Sequence, residues 1–223
     1  MDAVILAAGR STRMGPGSDK QLDRLGGKPL MVFAIEKLLD HSAVDRVVLT
    51  TRDDKVDRVN EVLVSYSLVD SVKIVVGGAT RQESVKLALD HVESSRVLIH
   101  EAARPLITTE LVDRVTAPNG PAVVPVIEIP FTVAIGDDKM DKEIDRQNLR
   151  NVQLPQVFDT EMLKQAHAQA AADGASSTED SQLVFRTGVP VTFVDGIVEN
   201  IKVTYPVDLV IAHEWIFGDQ VSS

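Results

Sequence analysis

Residues 3–21 read AVILAAGRSTRMGPGSDKQ, an apolar strand pattern that runs straight into a polar, cationic loop. Ala3 to Leu6 supply the strand, Ala7-Ala8-Gly9 turn the chain, and Arg13 and Lys20 come next within the loop. Small residues let a backbone approach something bulky, and loop N–H groups flanked by two cations suit a polyphosphate. The stretch carries neither the Gly-x-x-x-x-Gly-Lys-Ser/Thr of a P-loop nor the Gly-x-Gly-x-x-Gly of a dinucleotide site. The plainer reading is a tight strand-to-helix connection with solvated cations.

The residues after the loop set the fold class. Pro29 stands where a helix can start, and Leu30, Phe33, Ala34 and Leu38 then recur at helical spacing to about Asp40. Val44 to Thr51 reads as a buried strand, Lys55 to Leu63 as a helix and Val72 to Val76 as a third strand. This β-α-β-α-β alternation predicts a parallel sheet with right-handed crossovers and helices on both faces. Ligands of such sheets sit at the carboxyl ends of the strands, where the opening loop lies.

The third strand ends in Gly77-Gly78-Ala79-Thr80-Arg81-Gln82-Glu83-Ser84-Val85. Thr80 and Glu83 form a capping-box pattern, so a helix is expected from there to about Val92, with Ser84 in its first turn. Arg96 to Ile99 is the next strand and delivers His100-Glu101-Ala102-Ala103-Arg104-Pro105. An acid directly after a buried strand, flanked by alanines and an arginine, is placed to meet a metal-bound phosphate, or else to pair with Arg104 at the surface. His100 reads as a packing residue. Thr109 to Ala117 is a helix, Asn119-Gly120-Pro121 a turn and Ala122 to Ile127 a strand. Thr132 to Ile135 and Glu143 to Arg146 read as the limbs of a hairpin around Gly136. Pro155 suits an edge or a bend. Helices are expected over Glu161 to Ala172 and from Ser177-Thr178-Glu179-Asp180 onward, where Ser177 is a cap and Asp180 stays open. A strand over Val191 to Val194, Glu199-Asn200-Ile201-Lys202-Val203-Thr204 and a Pro206-led helix to Trp215 complete the chain before a frayed Gln220 to Ser223.

Composition narrows the function. With 223 residues, 44% hydrophobic and 25% charged, the chain is expected to form one domain over 1–223 with an arm at 131–147. No apolar run approaches the roughly 20 residues of a membrane span, and no signal-peptide pattern opens the chain, so a cytoplasmic protein is expected. Zero cysteines exclude disulfides and thiolate chemistry, and none of the five histidines has a metal-ligand spacing. A formal net charge of −10 argues against nucleic acid as a partner, but a few local cations can still hold a nucleotide.

Several of these stretches resemble one family. Ala7-Ala8-Gly9 through Arg13-Met14-Gly15 to Lys20-Gln21 is similar to the nucleotide-binding loop of the sugar nucleotidyltransferases. His100 to Pro105 resembles the His-Asp-Ala-Ala-Arg-Pro signature of the cytidylyltransferases acting on 2-C-methyl-D-erythritol 4-phosphate and their ribitol 5-phosphate relatives, with Glu101 in place of aspartate. Asn200 to Thr204 is similar to a third family motif, preceded by Glu199 where the family has aspartate. Residues 153–158 and 178–180 resemble two further ones.

The resemblance implies a Rossmann-like, mostly parallel sheet and transfer of CMP from CTP to a small phosphorylated polyol with release of pyrophosphate. By it, Arg13, Lys20 and Lys202 neutralise the reacting phosphates. Ala7, Ala8, Gly9, Gly77, Gly78, Arg81, Ser84, Ala102 and Arg104 bind the nucleotide, and Glu101 and Glu199 hold Mg2+. Thr132 and Arg146 bind the acceptor phosphate, the arginine reaching across a homodimer joined by the 131–147 arm. The residues admit plainer roles: a well-capped helix with Ser84 on its surface, a strand threonine at Thr132, an Arg146–Asp145 salt bridge, and a surface charge pair of Glu199 with Lys202. Phe131-Thr132-Val133-Ala134 departs from the family's Asp-Thr-x-Lys, which keeps ribitol 5-phosphate or a phosphonate open as acceptor. The two glutamates keep a non-catalytic nucleotide-binding homologue open as well.

Overall fold

Unbroken burial along the central strands dictates the layers of the computed structural model, which describes residues 1–9, 12–14 and 21–218. Every residue of Asp2–Leu6 (β1) is buried, so both faces of this strand need a cover. Side chains alternate between the faces: Ala3 and Ile5 join one apolar cluster, Val4 and Leu6 the other. Arg46–Thr51 (β2), Val72–Val76 (β3) and Arg96–Glu101 (β4) extend the sheet, and Leu49 and Leu98 share the first face while Val48 and Ile99 share the second. Leu30–Leu39 (α1), Val56–Ser65 (α2) and Thr109–Thr116 (α4) cover the first face through Ile35, Leu63 and Val112. Arg81–Leu89 (α3), Thr160–Ala172 (α5) and Asp180–Arg186 (α6) cover the second through Val85, Leu163 and Val184.

The chain order decides where a ligand can enter. Strands β3, β2, β1 and β4 lie side by side in that order and all run parallel. The chain therefore steps outward from β1 to β3 and then returns to the other side of β1, which makes the gap between β1 and β4 a topological switch point. Beyond β4 the sheet continues with Gln156–Asp159, which is antiparallel to it, then Ala122–Glu128 (β5) and the edge strand Thr192–Asp195. Arg150–Val152 (β6) pairs antiparallel with the far end of β5, so Gln156–Asp159 is β7 and Thr192–Asp195 is β8. Pro206–Phe217 (α7) closes the molecule over a third cluster that includes Leu25, Leu30, Val203 and Ala212.

Pro29 caps α1 and Pro206 opens α7, as the sequence predicts. At Pro155 the bend holds rather than the edge: the chain bends at Leu154, the proline precedes β7, and Gln156–Asp159 lies inside the sheet between β4 and β5. Two expectations need correction. Strand β2 starts at Arg46 rather than Val44, whose N–H instead closes a turn onto His41. The second limb of the arm is Met140–Glu143, paired to Ala134–Gly136 across an irregularity at Ile135/Gly136, and Arg146 falls beyond it in a short 3-10 turn. Lys20 and the Gln220–Ser223 tail lie outside the described residues.

Candidate active site

The carboxyl ends of β1, β2, β3 and β4 open onto one cleft of about 920 Å3, within the range of nucleotide-sized pockets. Its wall is shaped by the meeting of two loops. A Cβ on Gly77 would fall 2.7 Å from the Ala8 Cβ and 2.8 Å from the Ser84 Oγ, so only a glycine lets the β3 loop reach the β1 loop. Gly78 is equally constrained, with the Glu83 Cβ 2.4 Å from where its own would be. The capping box at the start of α3 fixes this turn: Glu83 N–H donates to Thr80 Oγ1 at 3.1 Å, and the Glu83 carboxylate accepts from Ala79 and Thr80 N–H at 2.7 and 3.2 Å. Ser84 is buried rather than on the surface, and its Oγ accepts from Gly78 N–H at 3.1 Å while donating to the Thr80 carbonyl at 2.9 Å.

Charge is concentrated on the cleft floor. Glu101 ends β4 with only 6% of its surface exposed, and the Lys202 ammonium lies 2.9 and 2.8 Å from its two oxygens. Arg81 and Arg104 approach the same carboxylate at 3.6 and 3.9 Å. Burial works to raise the Glu101 pKa, but Lys202, Arg81 and Arg104 together hold it below the ordinary glutamate value. Arg81 also forms an ion pair with Asp180 at 2.8 Å, and buried His167 meets the other Asp180 oxygen at 2.9 Å. Burial again pushes upward on Asp180, yet Arg81 and His167 keep it below the usual aspartate range. Half-buried Glu179 goes the other way: burial, aided by Glu101 and Asp180, outweighs Arg81 and raises it. His100 is a packing residue, fully buried with its Nε2 3.1 Å from the Arg104 carbonyl.

The structure brings Ala8, Gly9 and Arg13 together with Gly77, Gly78, Arg81 and Ser84 on the cleft wall, and Glu101 and Lys202 complete it. Ala7, Ala102 and Arg104 lie behind that wall: Ala7 N–H bonds the Thr50 carbonyl, Ala102 N–H the Leu6 carbonyl, and the Arg104 guanidinium donates to the Asn200 carbonyl at 2.7 Å. Glu199 is half-buried and does not line the cleft. Thr132 and Arg146 are exposed on the arm, away from it, and Arg146 donates to the Pro130 carbonyl at 2.6 Å rather than pairing with Asp145. Asp145 instead accepts from Gln147 N–H. Among residues assigned no role from the sequence, Thr50, Arg52 and Asp54 line the rim, and Gln156 and His167 buttress the floor. The rim residues lie at the end of β2 and just beyond it, so the carboxyl-end rule could have found them; Gln156 falls within the 153–158 motif, and His167 had no local signal.

Among the described residues no group of three or more His, Asp or Glu side chains is arranged to hold a metal ion. Glu101 nevertheless has an oxygen, Oε2, with no hydrogen bond of proper geometry, and a single carboxylate facing an open cleft fits the way Mg2+ is held by one or two acids plus substrate phosphates.

Comparison with known proteins bears on the family and the fold. The family model for IspD, 2-C-methyl-D-erythritol 4-phosphate cytidylyltransferase, matches residues 1–217. The chain is 40% identical over 225 residues to the 2-C-methyl-D-erythritol 4-phosphate cytidylyltransferase of Streptomyces coelicolor, covering 94% of this chain and 82% of that one. It is 32% identical to the enzyme of the same name from Dictyoglomus thermophilum, covering 96% and 94%. The crystal structure of 2-C-methyl-D-erythritol 4-phosphate cytidylyltransferase from Thermus thermophilus has a TM-score of 0.78 and 30% identity, covering 96% of this chain and 97% of that one. A sheet wound to present one cleft at its switch point, and likeness over nearly the whole length, thus lead to one statement: the chain belongs to the 2-C-methyl-D-erythritol 4-phosphate cytidylyltransferase family.

Proposed function

We propose that the protein transfers the cytidylyl group from CTP to 2-C-methyl-D-erythritol 4-phosphate. A phosphate oxygen of the acceptor attacks the α-phosphorus of CTP, the bond to the bridging oxygen breaks, and pyrophosphate leaves. The observation that carries this reading is the convergence of Arg13, Arg81, Glu101 and Lys202, from four separate stretches, on one cleft in a member of that family. Two anions must meet in line, so the task is charge neutralisation and positioning rather than covalent chemistry. A phosphate monoester is already ionised near neutral pH, and no general base is needed.

In this reading Arg13 and Lys20 balance the triphosphate from the β1 loop and Lys202 does so from the opposite side. The wall of Ala8, Gly9, Gly77, Gly78, Arg81 and Ser84 seats the base and ribose, and Ala7, Ala102 and Arg104 hold that wall in place. Mg2+ supplies further neutralisation of phosphate charge when bound, and Glu101 would hold it; Glu199 as a second ligand rests on its motif alone. Thr132 and Arg146 would bind the acceptor phosphate, with residues 131–147 joining a homodimer so that the arginine serves the partner's cleft. A single domain over 1–223 working in the cytoplasm completes the proposal. No described helix is long and apolar enough to cross a membrane.

Pyrophosphate release and phosphorus NMR of the product, with CTP and each of 2-C-methyl-D-erythritol 4-phosphate, ribitol 5-phosphate and a phosphonate, test it. Product only from the last two would reassign the acceptor. Calorimetric binding of CTP without product from any acceptor, under excess magnesium, would leave a nucleotide-binding protein and no enzyme.

A further inference from the structure

The ion pairs on the cleft floor differ in how firmly each partner is held. Arg81 is anchored to Asp180 at 2.8 Å, and Arg104 donates to the Asn200 carbonyl at 2.7 Å, so both guanidinium groups are fixed from behind. Lys202 is not. Its side chain is 36% exposed on the cleft wall, and Glu101 is its sole ion-pair partner among the described residues, at 2.8 and 2.9 Å to the two oxygens. An ammonium on a flexible stem is a point charge that reorients easily, whereas a forked guanidinium held at both ends does not. Of the three cations around Glu101, Lys202 is therefore the one able to turn toward an incoming phosphate.

Resting on the cytidylyl-transfer reading above, we propose that Glu101 is a built-in counter-anion for Lys202, holding the ammonium on the cleft floor until a substrate phosphate displaces the carboxylate. Glu101 is in this sense a positioning residue. A phosphate gains Lys202 only as Glu101 loses it, so the exchange adds little to ground-state affinity. The attraction is felt in full where the reacting phosphate carries most charge, and binding energy withheld until then raises turnover rather than affinity. Arg81 and Arg104 keep the released carboxylate compensated in its buried position.

The test is a double-mutant cycle read in equilibrium binding without metal. CTP, and in a separate arm 2-C-methyl-D-erythritol 4-phosphate, are titrated in EDTA into the wild type, Glu101→Gln, Lys202→Met and the double variant. The proposal expects Glu101→Gln to tighten at least one ligand by about tenfold or more, Lys202→Met alone to weaken both by less than about threefold, and the gain from Glu101→Gln to vanish once Lys202 is gone. The arm that responds identifies which phosphate takes the ammonium. No gain in either arm, an undiminished gain in the double variant, or no measurable binding by any variant overturns the proposal. Circular dichroism and melting establish that Glu101→Gln is folded. If it is not, Lys202→Met decides alone, because a loss beyond threefold means that the ammonium meets phosphate unhindered. Binding that follows this pattern in a protein yielding no cytidylyl product would refute the transfer reading and leave the counter-anion intact.

Discussion

Burial acts oppositely on His100 and Glu101, although they are neighbours at the end of β4. It pushes the His100 pKa down to about 4 and so keeps the ring neutral, donating from Nε2 to the Arg104 carbonyl. Glu101 is buried too, but its three cations keep it ionised. An unfolded histidine titrates near 6.5, so between that value and about 4 the unfolded chain takes up a proton that the native state refuses, and stability falls as pH falls. Glu101 contributes stability above the ordinary glutamate value that is lost as pH drops through its lower native value, which extends the decline at the acid end. From His100 alone the loss should be on the order of 3 kcal/mol across the window. Urea midpoints measured against pH should therefore fall steeply in the wild type and more gently in His100→Gln; parallel slopes would remove His100 as the source. At the cleft mouth Arg13 is exposed, its guanidinium 5.9 Å from the Tyr205 ring centroid. Its replacement by Ala, or that of Lys20, should lower turnover at least ~100-fold under saturating CTP and magnesium, the size of one lost transition-state charge contact. Near-normal turnover would take the residue out of the reaction.

The start of α3 is where an element does the work of a site. Thr80 and Glu83 cap the helix, and the same turn presents Gly77 and Gly78 to the cleft. Thr80→Ala should cost about 1 kcal/mol in urea unfolding and, by loosening that turn, raise KM for CTP more than it lowers kcat. A stability loss with unchanged KM would confine the cap to folding. This helix start was legible in the sequence because capping is local, as was β1, whose apolar run passes abruptly into small residues. What the sequence hid is what depends on distant partners. Pro155 reads as an edge or bend, yet insertion of β7 between β4 and β5 is decided by long-range pairing. In the arm every residue of both strands is exposed, so no apolar alternation pins the register, and the second limb lies three residues earlier than its composition suggests. Asp180 could be flagged by its motif but not explained, since its partners Arg81 and His167 come from two other helices.

At the scale of the whole molecule, the arm is the part the described fold leaves unused. Phe131 is 75% exposed and Met140 69%, and Thr132 and Arg146 stand off the cleft of their own chain. The proposed homodimer would cover these exposed apolar side chains, and a two-fold pairing would offer each arm to the other subunit's cleft. The charged cluster on the cleft floor was legible only as separate motifs, and the acceptor side is legible in neither chain alone if it is built from two. Complementation distinguishes the arrangements. Lys202→Met and Arg146→Ala should each be nearly inactive as pure proteins. Refolded together, half of the dimers would be mixed, and in each of these one cleft would combine an intact Lys202 with the partner's intact arginine. Activity should then return to about a quarter of the wild-type value on random pairing. If Arg146 instead serves its own chain, every cleft in the mixture lacks one residue or the other, and no activity returns.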